Sequence, residues 1–318
     1  MRAIYASSLN PSSPLDGLVV GELDLAVPEG WTTVTVKASA LNHHDLWSLR
    51  GVGLSAEQLP MILGCDAAGV DADGNEVVVH AVIADPSLPD ETMDPKRTLL
   101  SEKHPGTLAD VVAVPRRNCV PKPSQMAWTD AACLPTAWLT AWRMLTTRGR
   151  LAEGASVLVQ GAGGGVATAA VVLAKALGAR VYATSRSAEK RERVASLGAE
   201  AVEPGARLPE RVDVVIESVG AETIDHSVKS TKPGGRIVVS GATSGHLAQL
   251  DLRRVFFLQL EIVGSTMGTR DELAAMLDFV VAHEIRPIVD GVYGFAHARE
   301  AFAHLARGDV FGKIVLEH

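Results

Sequence analysis

The chain has 318 residues, 47% of them hydrophobic and 21% charged, and a net charge of −7. One or two domains with a sizeable core are expected at this length, and the acidic balance argues against nucleic acid or an anionic membrane as the main partner. No stretch approaches the roughly 20 apolar residues of a membrane span, the polar start MRAIYASSLNPSSPLDG lacks a signal-peptide core, and the cysteines at 65, 119 and 133 make no disulfide framework, so a reducing, cytoplasmic setting is expected.

In chain order, residues 1–123 read as a β-rich domain. Trp31 to Ala38 alternates as a strand does, Glu76 to Val82 follows the turn Asp73-Gly74-Asn75, and Leu108 to Val114 follows Pro105-Gly106. Residues 83–106 are polar and proline-bearing and read as a surface loop. Trp128 to Thr146 reads as a helix that Pro135 kinks or divides. Phe256 and Phe257 are expected in the core or lining a substrate cleft.

From Ser156 the pattern alternates strand and helix. Ser156 to Gln160 is a short β-branched run that stops at Gly161-Ala162-Gly163-Gly164-Gly165. Val166 to Leu177 then reads as a helix, closed by Lys175 and Gly178. Arg180 to Ser185 is the next strand, Val212 to Glu217 the fourth, Arg236 to Ser240 the fifth and Leu260 to Ser265 the sixth. Six strands with crossovers predict an α/β fold, a doubly wound parallel sheet. Glycines between strand and helix let backbone amides approach an anion, and the helix N-terminus adds unpaired N–H groups. Gly161, Gly164 and Ala167 fit the spacing of a dinucleotide fingerprint, so Gly161, Gly164, Gly165 and Val166 are expected at a pyrophosphate. An acidic residue meeting the ribose 2′-OH is expected about 20 residues on. The chain instead has Ser185, Arg186 and Lys190, a hydroxyl and two cations suited to a 2′-phosphate, which predicts NADPH rather than NADH. Ser218-Val219, Gly241-Ala242-Thr243 and Ser265-Thr266 follow the ends of strands four, five and six, where such sheets bind ligands.

Several segments together resemble the medium-chain dehydrogenase/reductase superfamily, in its zinc-free, quinone-oxidoreductase-like branch. They are Ala40 to Asp45, Gly64 to Val70, Gly106 to Asp110, Leu139 to Trp142, Val157 to Val166 and Gly312 to Val315. The resemblance spans nearly the full length. It implies a GroES-like catalytic domain from 1–123 and 267–318, a Rossmann domain over 124–266, and a nicotinamide cofactor. It also implies a homodimer through the sixth strand, whose edge invites pairing.

Aligned through Asp45, the positions that carry zinc ligands in zinc members hold Asn42, Cys65 and Thr136. Asn and Thr are poor substitutes for thiolate and imidazole. A rival reading gathers His43, His44, Cys65 and Asp66 around a metal. Without zinc, substrates that already accept hydride well are expected, namely quinones or α,β-unsaturated carbonyls. Asn42 and Thr136 are then expected to hold the nicotinamide end or the substrate carbonyl. His43 is expected near the cofactor pyrophosphate and His44 as proton donor, with polar loop residues making structural hydrogen bonds as the other reading of both histidines. Two further functional readings stand open: an alcohol or aldehyde oxidoreductase with an unusual metal site, and a non-catalytic NADPH-binding sensor.

Overall fold

The computed structural model describes residues 1–318. The chain divides into two compact units, Met1–Ala137 with Gly268–His318, and Trp138–Met267.

The first unit is organised around the strand Trp31–Ala40. Its buried positions alternate along most of its length, as a strand with one covered face requires. It pairs antiparallel with Asp66–Asp71, Val111–Pro115 and Lys313–Glu317. The last of these brings the C-terminus back into the sheet. Ile4, Leu49, Leu63, Phe302 and Leu316, all fully or almost fully buried, share one core cluster, so both ends of the chain are held together by apolar burial.

One expectation for this unit needs correction. Residues 83–106 are not simply a surface loop. Val82–Ile83 pairs with Thr98–Leu99, and Leu100 and Ser101 are fully buried. Polar composition concealed this, because Glu91, Thr92 and Asp94 go into the interior with hydrogen-bonded side chains or backbone. The segment 124–137 also lies in the first unit. Its helix Trp128–Ala132 packs on Trp31–Ala40 and Asp66–Asp71, burying Asp130, Ala131 and Ala132. The helix expected over 128–146, kinked or divided at Pro135, is a succession of short pieces: Trp128–Ala132, a π-turn at Leu134–Trp138 that contains Pro135, Leu139–Arg143, and a second π-turn at Met144–Arg148. Proline removes a ladder donor, and a π-turn is one way to absorb it.

The second unit holds a six-stranded sheet made of Ser156–Val159, Arg180–Thr184, Glu200–Val202, Val212–Glu217, Thr231–Val239 and Glu261–Gly264. Numbered in that sequence, the spatial order is 3-2-1-4-5-6 and every pairing is parallel. This is the doubly wound Rossmann order. Strand one is fully buried, as the central strand of a sheet covered on both faces must be. Strand six lies at the edge, with Ile262 41% exposed. Phe256 and Phe257, in the short helix Leu252–Phe257, are 70% and 77% exposed, so neither belongs to the core. No helix of the structure is long and apolar enough to cross a membrane.

Candidate active site

In the first unit a short helix, His43–Leu49, starts at Asn42. Asp45 closes its first turn. One carboxylate oxygen accepts the Asn42 N–H at 2.8 Å and the other accepts the Gly64 N–H at 3.1 Å. Asp45 thus ties the helix start to the segment carrying Cys65 and Asp66, a bracing role. Burial pushes its carboxyl up to about 6, with the His44 charge and the Asn42 amide pulling against it.

Asn42 is held by a buried ion pair. Its Nδ2 donates to Asp66 Oδ2 at 2.9 Å, and Lys313 Nζ donates to its Oδ1 at 2.6 Å. The same ammonium donates to Asp66 Oδ2 at 2.9 Å and to the Leu41 carbonyl at 2.8 Å. Lys313 is 2% exposed and Asp66 fully buried, so each charge depends on the other. The second oxygen of Asp66 is buried without a partner.

His44 is half-buried, and both ring nitrogens face groups of its own unit. Nε2 lies 3.2 Å from Glu102 Oε1. Nδ1 lies 3.5 Å from Ser101 Oγ and 3.7 Å from Cys65 Sγ. Burial opposes a charge on the ring, but the Cys65 sulfur, the Glu102 hydrogen bond and the Asp45 carboxylate outweigh it and raise the pKa to about 11. Glu102 moves the other way. Burial works against its charge, yet the hydrogen bonds from His44, the Leu99 amide and Thr98 hold its carboxyl below the usual range.

Thr136 is partly buried, with an unpartnered Oγ1, and makes no hydrogen bond to Asn42 or His44. His43 is exposed. Sequence reasoning missed Ser101 and Glu102, since nothing local marks them, and it noted Lys313 only as part of a motif.

In the second unit the glycine turn is where expected. Gly161 has φ +70°, and a Cβ there would meet Val219 Cγ2 at 2.4 Å, so only glycine fits. Gly164 is the N-cap of the helix Gly165–Ala176 and makes no side-chain cap, which leaves the amides of Gly165 and Val166 without one. A Cβ on Gly164 would meet nothing within 4 Å. Open space over uncapped amides at the start of a twelve-residue helix suits a phosphate group.

A chain of hydrogen bonds holds this turn against its neighbours. Thr184 Oγ1 accepts the Gly161 N–H at 3.1 Å and donates to Gln160 Oε1 at 2.8 Å, and Gln160 Nε2 donates to Ser227 Oγ at 3.0 Å. Ser227 then donates to the buried Glu217 at 2.7 Å, whose other oxygen accepts the amides of Val219 and Gly220 at 2.8 and 3.0 Å. The loops after strands four and five also meet, the Ser244 N–H reaching the Val219 carbonyl at 2.7 Å and the Thr243 N–H the Ser218 carbonyl at 3.4 Å. A Cβ on Gly241 would come within 3.0 Å of that Ser218 carbonyl. The Lys190 side chain passes beside the glycine turn, 2.8 Å from where a Gly163 Cβ would stand. Ser185 is buried and Arg186 exposed, and their backbone carbonyls are both held by Arg191. Ala242 lies beside the Gly220 turn, while Ser265 bonds through its amide to Val239 and Thr266 is exposed.

Residues 28–124 match the alcohol dehydrogenase GroES-like domain family and residues 165–282 the zinc-binding dehydrogenase family. The acryloyl-coenzyme A reductase of Metallosphaera sedula is 30% identical, over 90% of this chain and 92% of its own. The NADPH-dependent alkenal/one oxidoreductase, chloroplastic, of Arabidopsis thaliana is also 30% identical, over 93% of this chain and 75% of its own. The chain belongs to the medium-chain dehydrogenase/reductase superfamily. A solved member of similar structure, an NAD-dependent alcohol dehydrogenase, shares 34% identity over the whole of both chains with a TM-score of 0.91. The chain spans 15% of a much longer relative, a phenolphthiocerol/phthiocerol polyketide synthase of Mycobacterium tuberculosis, at 30% identity over 99% of this chain.

Proposed function

We propose that this medium-chain dehydrogenase/reductase reduces α,β-unsaturated carbonyls or quinones with hydride from NADPH, and does so without zinc. The observation that carries the reading is the clamp on Asn42. At that family ligand position stands an amide whose oxygen already accepts from the Lys313 ammonium at 2.6 Å, so a metal there would face a positive charge in place of a thiolate. Thr136 offers a hydroxyl, and no group of three His, Cys, Asp or Glu side chains comes together to hold a metal. The donor set does not fit zinc. Without a Lewis acid, a plain carbonyl is a poor hydride acceptor, and a conjugated one is favoured because charge spreads over it.

Bound at the glycine turn, NADPH supplies the hydride. The amides of Gly165 and Val166 would hold its pyrophosphate, and Ser185, Arg186 and Lys190 its 2′-phosphate. Hydride addition at the β carbon of an enone leaves an enolate. Its α C–H bond then forms with a proton from His44, and the imidazole left behind is recharged from solvent. The names of the alkenal/one oxidoreductase and the acryloyl-coenzyme A reductase support an unsaturated carbonyl as substrate.

A second reading, an alcohol oxidoreductase with an unusual metal site, is favoured by the likeness to the NAD-dependent alcohol dehydrogenase. Oxidation of NADPH and of NADH against enones, enoyl thioesters and quinones, with metal analysis of the same sample, separates the two. A non-catalytic sensor would bind NADPH and turn over none of the panel. Turnover of enones or quinones with NADPH, unaffected by chelation, is expected. Arg186→Ala should weaken NADPH affinity by roughly tenfold, the loss of one charge-assisted phosphate contact, and leave NADH affinity as it was. Equal affinity for the two cofactors in the unaltered protein would sink the NADPH assignment.

The same reading includes a homodimer through strand six. Edge strand Glu261–Gly264 carries the exposed Ile262, and the segment before it exposes Leu247, Leu252, Phe256 and Phe257. Unpaired strand groups beside large exposed apolar side chains are what a second copy covers. Light scattering at micromolar concentration should give twice the chain mass. A monomeric mass removes this part of the proposal.

A further inference from the structure

His44 faces a carboxylate, Glu102, that the family resemblance does not assign. We propose that Glu102 is the positioning residue of His44, holding the ring in place through Nε2. The inference rests on the reading of His44 as proton donor.

Four observations carry it. Glu102 Oε1 faces His44 Nε2 at 3.2 Å, and the opposite nitrogen faces Ser101 Oγ and Cys65 Sγ at 3.5 and 3.7 Å. The carboxylate is itself fixed, because its other oxygen accepts the Leu99 N–H at 3.2 Å and the Thr98 hydroxyl at 3.5 Å. Its backbone is fixed too, the carbonyl accepting Gln58 Nε2 at 2.6 Å. Finally, Ser101 has φ +68°, a left-handed conformation rare for a residue other than glycine and found where neighbouring structure over-determines the backbone. That strain places a hydroxyl and a carboxylate on consecutive residues against the two nitrogens of one ring.

The arrangement has a division of labour. An imidazolium with neither nitrogen constrained turns about its side-chain torsions and points its N–H groups in varying directions. Here the Nε2–H is committed to Glu102. When an N–H of the charged ring breaks to complete the α C–H bond of the product, the imidazole is left neutral with one proton remaining. Reprotonation of the ring restores the starting state, with no other group oxidised or reduced. Cys65 takes no covalent part in this scheme.

Glu102→Gln and His44→Ala in the full chain test this. Glu102→Gln should lower kcat by about 10–100-fold, the range for loss of a residue that orients a functional imidazole. KM for an enone and the Kd for NADPH should change by less than about twofold. The basic limb of its kcat–pH profile should move toward pH 6.5, which a residue of purely structural importance would not cause, and Glu102→Asp should recover part of both effects. An unchanged kcat and pH profile in Glu102→Gln, with His44→Ala impaired, overturns the inference and leaves the proton-donor reading standing. Unimpaired His44→Ala overturns both. Should Glu102→Gln not fold, nitrogen-15 spectra of the unaltered protein decide the matter, since a neutral His44 ring at pH 7 overturns the proposal and a charged one with a protected Nε2–H supports it.

Discussion

Replacing His44 by alanine is expected to lower turnover by roughly 10²–10⁴-fold, the range for a lost acid–base group, with NADPH binding nearly unchanged. The separation follows from the proposed roles, in which the glycine turn, Arg186 and Lys190 hold the cofactor phosphates and His44 holds none of them. The expected pH dependence follows from the sign of its shift. A donor must be protonated to act, and His44 is held charged up to about 11 despite its burial, chiefly by the Cys65 sulfur and the Glu102 hydrogen bond. Turnover therefore should not fall as pH rises through 6.5, where an unperturbed histidine would be lost, but only at distinctly more alkaline pH. A kcat–pH profile with its basic limb near 6.5 in the unaltered protein contradicts the charged His44. Full turnover in His44→Ala removes the proton-donor role altogether.

The Rossmann unit was legible because its signals are local. Strand, glycine turn and helix cap are contiguous from Ser156 to Ala176, and each is read from neighbours a few residues away. The return of Lys313–Glu317 to the first unit was legible through its β-branched run and the family motif around it. The pair His44 and Glu102 was not, because 58 residues separate them and the second lies in a stretch whose polar composition argued for solvent. The loop owes its burial to long-range contacts, such as the Leu100 amide on the Ala81 carbonyl, that periodicity does not encode. Asp66 and Lys313 each fell inside a recognised motif, yet their partnership spans 247 positions and appears only in three dimensions. Phe256 and Phe257 failed in the opposite direction. Large apolar side chains are usually inside, but a good share of any protein surface is apolar, and hydrophobicity alone does not say which ones stay out.

Asp66→Ala is expected to lower the stability of the first unit by about 3–5 kcal/mol, the cost of breaking a buried ion pair by removing one partner. Lys313 would keep its bonds to Asn42 Oδ1 and the Leu41 carbonyl but lose its ion-pair partner, at a depth where 2% of its surface reaches solvent. The unpartnered second oxygen of Asp66 means the pair is already imperfectly satisfied, so removing both charges should cost far less than removing one. The double variant Asp66→Leu with Lys313→Met is therefore expected to recover most of the loss in urea unfolding while leaving Asn42 without both of its anchors. That combination separates stability from positioning. If the clamp on Asn42 matters to the reaction, the double variant should be folded yet slow, with kcat reduced and the unfolding midpoint close to that of the unaltered protein. A single variant destabilised by less than about 1 kcal/mol, the worth of an exposed pair, would show that water reaches the Lys313 ammonium and that the pair is not buried in the sense its geometry requires.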